Sequence, residues 1–443
     1  MFDAVAEFTL GEREIPEAAL DMAATLLIDT LGVAAGAAAL DAGRIVRDHA
    51  VRFQAAGLPD LAAPILFDGR MAAIPGAAFA AASQIDNLDA HDGFNPTKGH
   101  IGCAVVPALC AFAAQRPGLT GPEALRTLVI SYEIAARAGI ALHKTVSDYH
   151  TSGAWNALGV AALGCRIRSL GAEELRQALG IAEYHGPRSQ MMREIAHPTM
   201  LHDGSGMGAL TGCQAVFLAE DGFEGAPAIT VEAEEVAPIW QDLGQRWTIM
   251  ENYIKPYPIC RWAHAALDAT GEVMTSHSLA PGDIETVEVG TFREAAALYQ
   301  GMPHTTSQAQ YSLAFALAHR VLHGRIGPEH ITGAALSDRE VAAFLSRIRI
   351  HEVARHSERF PLDRCSDVTI VTRDGRRLAS GDVIAKGGQE APLSLVEIEE
   401  KFHLMATSLT QARRAGIWDM RRRLQDQTTP FSDLLDLLTE PVE

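Results

Sequence analysis

The sequence predicts a mainly α-helical protein with a smaller α+β domain. Three observations carry this: helical apolar spacing dominates up to about residue 250, strand-like alternation appears after KPYPICRWAH, and helical spacing returns near the end. PEAALDMAATLLIDTLGVAAGA (16–37) repeats apolar residues at three and four, behind a first-turn proline. The stretches AGRIVRDHAVRFQAAG, GAAFAAASQI, AVVPALCAFAAQ, GPEALRTLVISYEIAARAGIAL, SGAWNALGVAALGCRI and AEELRQALGIAEY follow the same rule. Several are apolar nearly all round and rich in Ala and Gly, which predicts helices buried on most faces with closely approaching axes. IETVEVGTF (284–292) and SRIRIHEV (346–353) alternate like half-buried strands. VTIVTRDGRRLASGDV (368–383) reads as a hairpin turning at Asp374-Gly375. Helices are expected at AHAALDATGEVM, QAQYSLAFALAHRVLHG and SDREVAAFLS, the last capped by Asp338 or Ser337. Residues from about 260 to 395 therefore form the α+β part. SLVEIEEKFHLMA and GIWDMRRRLQDQ return to helix and are expected to pack on the first domain.

With 443 residues, 48% apolar and 21% charged, the chain is an ordinary globular protein. A net charge of −18 argues against nucleic-acid partners and anionic membranes. Any anionic substrate must then meet locally concentrated positive groups. MFDAVAEFTLGERE lacks the basic flank of a signal peptide, and no uninterrupted apolar run approaches the ~18 residues that would span a bilayer. A cytoplasmic location is expected. The six cysteines form no C-x-x-C pair, which disfavours zinc ribbons and iron–sulfur clusters. They are expected to be small buried apolar residues, Cys260 excepted.

Four stretches could carry chemistry. LDAHDGFNPTKGHIG (88–102) concentrates Asp89, Asp92, Lys98 and His100 in a turn-rich segment. A carboxylate beside a histidine tunes a general base, and Asp89 and Asp92 would share a face if the preceding helix continued. A solvated helix end, or a metal site of alternating Asp and His, stands beside that reading. HKTVSDYHTSGAW (143–155) sets His143, Tyr149 and His150 before a helix start, a plausible carboxylate pocket or simply a hydroxyl N-cap. EIAHPTMLHDGSGMGALTG (194–212) fits neither nucleotide-binding glycine pattern, so its glycines are read as helix-packing residues, with His202 and Asp203 near a ligand as the sharper option. NYIKPYPICRWAH (252–264) sets Lys255 before two prolines and Cys260, Arg261 and His264 after them, at the junction of the proposed domains.

LDAHDGF…KGHIG followed by KPYPICRWAH resembles the MmgE/PrpD family of 2-methylcitrate dehydratase, cis-aconitate decarboxylase and iminodisuccinate epimerase. The likeness runs nearly end to end and includes EEKFHLMA. It implies a helical domain from 1–258 and 400–443, an α+β lid domain at 259–399 and a site between them. It also implies a homodimer acting on small polycarboxylates without an obligatory cofactor or metal. By this resemblance Asp89, Asp92, His100, His150 and Lys255 are catalytic. Cys260 falls at a family position five after the lysine, and with Lys98, Tyr149, His202, Arg261 and His264 from the four stretches above it is expected to bind substrate. Two positions depart from the family: Thr199, in PTMLH, replaces a lysine, and Phe315 replaces a tyrosine.

The chemistry implied is removal of a proton from carbon beside a carboxylate, with cations and donors stabilising the enolate. His100, oriented by Asp89 or Asp92, is the expected base and His150 the second acid/base group, with Lys98 as a substitute. Loss of the lysine and tyrosine weighs against dehydration and decarboxylation more than against epimerisation, which needs only two groups on opposite faces. Epimerisation in the manner of iminodisuccinate epimerase is therefore favoured. A hydro-lyase or decarboxylase is the alternative, and a helical scaffold that has lost catalysis is the rival from another class.

Overall fold

Proline and capping hydroxyls mark where the helices of the first part begin. Pro16 precedes Glu17–Ala37, and Thr120 caps Gly121–Thr145 by accepting from the Glu123 N–H at 3.3 Å. The computed structural model describes residues 1–442 and divides into two units. The first comprises Met1–Met191, Leu201–Asn252 and the residues from Met405 onward; the second comprises Tyr253–Leu404 with Met192–Met200.

In the first unit Glu17–Ala37 is buried on nearly every face, against Ile74–Asp86, Gly121–Thr145 and the late helix Gln411–Arg423. By length and composition it could cross a membrane, but 78% of its apolar window is buried inside the fold, the pattern of a core helix. Arg421 reaches Asp21 at 2.7 Å, so the tail helix packs on the first domain as its sequence suggested. Gly153–Ile167 lies between Gly121–Thr145 and Ser205–Glu220, and these contacts are built on glycine. A Cβ on Gly212 would stand 2.5 Å from the Ala157 carbonyl oxygen, and one on Gly208 would stand 2.6 Å from that of Gly153. The glycine-rich third stretch is thus a close-packing device, not a phosphate loop.

The second unit holds a four-stranded mixed sheet in the order Ile348–Glu352, Ile284–Thr291, Cys365–Thr372, Arg377–Ile384. The first pair is parallel, with Val287 opposite Ile348, and the other two are antiparallel. The parallel pair needs a crossover, supplied by intervening helices that include Leu313–His323 and Arg339–Leu345. Asp338 caps the latter, accepting from Glu340 N–H at 2.8 Å. Val287, Val289, Val368 and Ile370 are buried, and His264–Ser276 packs on the two antiparallel strands that end the sheet. The hairpin turns at Asp374-Gly375, where Gly375 takes φ 85°. The pair Ala62–Pro64 and Met71–Ala73 is too short to leave a period in the sequence.

Candidate active site

Three loops of the helical unit are tied together around His100. One follows Ile74–Asp86, one precedes Gly153–Ile167, and one precedes Ser205–Glu220. The His100 N–H donates to Ser152 Oγ at 2.9 Å, and Ser152 Oγ donates to Asp203 Oδ1 at 2.8 Å. Asn156 Nδ2 donates to the His100 carbonyl at 2.8 Å, and Asp86 Oδ2 accepts from Ser205 N–H at 3.1 Å. Asp89, Lys98 and His202 have φ of 53°, 53° and 45°. The left-handed region is costly for residues with a Cβ, and such strain gathers where tertiary structure fixes a functional loop.

His100 Nδ1 lies 2.6 Å from the Asp92 backbone oxygen. A carbonyl can only accept, so Nδ1 carries the proton and Nε2 keeps the lone pair of the neutral ring. Nε2 is 3.6 Å from Asp203 Oδ2, a position from which the carboxylate stabilises the imidazolium. One expectation is corrected here: the helix ends at Asp86, so Asp89 and Asp92 do not share a helical face. The main-chain carbonyl of Asp92 holds His100 Nδ1, the Asp92 carboxylate accepts from the Gly102 N–H at 3.1 Å, and a carboxylate oxygen of Asp89 lies within 4.8 Å of a His100 ring nitrogen.

The second cluster lies around Tyr149. Its hydroxyl donates to the Lys98 carbonyl, and the Lys98 ammonium stands 4.2 Å from its ring centre. His143 Nε2 accepts from the His150 N–H at 3.3 Å. Burial, with Lys98 and His150 adding repulsion, pushes His143 down to about 4, so it stays neutral and able to accept. His150 Nδ1 lies 3.3 Å from the Ser189 carbonyl, which assigns its proton in the same way as for His100.

Two donor sets here could hold a metal: Asp89, His91 and His100, or Asp86, His91 and Cys103, each within 4.8 Å. The second must shed two firmly held protons. Burial and the Asp203 charge push the Asp86 carboxyl well up, and burial does the same to the Cys103 thiol.

Lys255, Cys260, Arg261 and His264 belong to the α+β unit. Lys255 is fully buried and Cys260 nearly so. The Arg261 guanidinium donates to the Lys386 and Ala385 carbonyls at 2.5 and 2.9 Å and stacks 4.3 Å from the Tyr253 ring centre. Burial lowers its pKa to about 10, so it remains charged. His264 is wholly buried, with Nε2 3.0 Å from the Ile259 carbonyl; burial and Arg261 hold it neutral. All six cysteines, Cys260 included, are buried.

The helical region matches the MmgE/PrpD N-terminal domain over residues 5–238, and the remainder matches the C-terminal domain over 257–426. The chain belongs to the MmgE/PrpD family. Its members are typically enzymes acting on small carboxylates. A comparison with curated proteins finds no match.

For this MmgE/PrpD enzyme, sequence motifs led to Asp89, Asp92, Lys98, His100, Tyr149, His150 and His202, all on loops of the helical unit. Motif reading gave less weight to Asp86, His91 and Asp203. His91 was visible in LDAHDGF, and its ring centre is 4.5 Å from that of His100. Asp203 follows His202 directly, but only folding sets its carboxylate beside His100.

Proposed function

We propose that the protein abstracts the α-proton of a small dicarboxylate with His100 Nε2 and returns a proton to the opposite face, an epimerisation. The observation that carries this is the 2.6 Å contact from His100 Nδ1 to the Asp92 carbonyl, which fixes a tautomer with a basic Nε2. When Nε2 takes the proton, Asp203 at 3.6 Å faces a cation that it stabilises. His150, in the doubly protonated form whose Nε2 carries a second proton taken from solvent while Nδ1–H stays on the Ser189 carbonyl, is the proposed donor to the other face, and the Lys98 charge offsets that of the enolate. Lys255 is assigned a substrate carboxylate on its motif alone. A homodimer remains part of the proposal on family resemblance, and a cytoplasmic location on the sequence expectation.

The two departures favour epimerisation over elimination. Thr199 directs its N–H and hydroxyl to the Glu194 carboxylate at 2.7 and 3.1 Å, where a family lysine would carry a cation. Phe315 is fully buried and brings no hydroxyl. The test is incubation with dicarboxylates such as iminodisuccinate in D₂O, before and after chelator treatment. Deuterium should enter the α-carbon without alkene absorbance, and chelation should leave the rate unchanged. Alkene formation would assign the hydro-lyase reading instead, and loss of rate on chelation would point to the Asp89–His91–His100 donor set.

A further inference from the structure

We propose that the α+β unit carries a metal site of its own, formed by His319, His323 and His330 and suited to a borderline divalent cation of the zinc class. The helix Leu313–His323 sets His319 and His323 one turn apart on one face, and the short turn Pro328–His330 brings the third ring to them. The ring centres are 5.2 Å apart in all three pairs, and one nitrogen from each ring lies within 4.8 Å of the others. Three imidazoles are a donor set that zinc, cobalt and nickel accept, with the fourth position left for water.

His319 is the independent pointer to a ligand. It is 1% exposed, and neither ring nitrogen has a hydrogen-bond partner. Leaving a buried donor and acceptor unmade is unfavourable, and a metal bond removes half of that deficit. His323 is exposed at the end of its helix, which gives an ion a route in.

His330 must change its proton. Its Nδ1 now accepts from the Gly327 N–H at 3.0 Å, so the proton is on Nε2. When the ion takes Nε2, that proton leaves to solvent and another is bound at Nδ1, which then faces Glu329 Oε1 at 3.4 Å. The result is a carboxylate–histidine–metal chain, with Arg325 holding the same carboxylate at 2.7 Å. The Gly327 hydrogen bond is given up in exchange.

The experiment uses the full-length, metal-stripped protein titrated with Co²⁺ and followed by visible absorption, then by Zn²⁺ competition. Three proteins are compared: wild type, His323→Ala and Glu329→Gln. His323 is exposed, so its loss leaves the core intact. Wild type should bind one equivalent more than His323→Ala, with a tetrahedral-type cobalt spectrum that only wild type and Glu329→Gln show. Glu329→Gln should bind the same equivalent roughly 10–100-fold more weakly. Equal stoichiometry and affinity in wild type and His323→Ala would overturn the proposal, as would a wild type that binds no cobalt. Neither result bears on α-proton abstraction at His100.

Discussion

At the scale of single residues, the tautomer of His100 follows from one hydrogen bond, and its consequence can be measured. Glutamine at position 100 retains a donor for the Asp92 carbonyl but has no basic nitrogen. His100→Gln should lower the rate of α-deuterium exchange by roughly 10²–10⁴-fold while leaving the melting temperature nearly unchanged. Unaltered exchange would remove His100 from the chemistry. Asp203 acts through His100, so it is a positioning residue. Asp203→Asn keeps an oxygen for the Ser152 hydroxyl, held now at 2.8 Å, but withdraws the charge facing Nε2. It should lower kcat and move the acid limb of the pH–rate profile to lower pH, because the imidazolium loses its counter-charge. A merely structural role for Asp203 would lower stability without moving that limb.

At the scale of elements, the helical unit relies on glycine where most helices rely on larger side chains. Gly-to-Ala within a helix is ordinarily favourable by about 1 kcal/mol. At Gly212 the new Cβ would stand 2.5 Å from the Ala157 carbonyl oxygen and 2.6 Å from Val160 Cβ, and backbone cannot yield as a side-chain tip can. The clash is expected to win: Gly212→Ala should destabilise by roughly 1–3 kcal/mol, read as a lower urea midpoint at unchanged slope. A stabilised variant would show that these helices can part to admit a methyl group. In the α+β unit, Arg261 plays the corresponding part, gathering the Ala385 and Lys386 carbonyls onto one guanidinium. That bonding is legible in no motif, because residue 261 meets residues 385 and 386 only through the sheet and its helices.

At the scale of the whole molecule, acid stability reports on groups held neutral by burial. His143 is lowered from 6.5 to about 4 in the folded chain. As pH falls through that window the unfolded chain takes up the proton first, so it binds more protons than the folded one. Stability therefore rises with pH from about 4 to 6.5 and is lost as pH falls. Unfolding free energies measured from neutral pH down to about pH 4 should decline for wild type and decline less steeply for His143→Gln. Identical slopes would remove His143 as a contributor.

The sequence by itself determined the helix-rich first part, the strands of the four-stranded sheet, the hairpin at Asp374-Gly375 and the family, because periodicity, turn chemistry and motif spacing are local properties. It also named most of the candidate residues, since loops rich in Asp, His and Lys stand out in an Ala-rich chain. Tertiary structure alone decided what those residues do to one another. His100 Nδ1 meets the Asp92 carbonyl in a loop where the helix has ended at Asp86 and Asp89 takes the left-handed region. Asp203 meets His100 for a further reason: Ser152 bridges a loop 52 residues before it and one 51 residues after it in the chain. Which atom faces which across such distances depends on the packing of helices, and no periodicity in the chain encodes it.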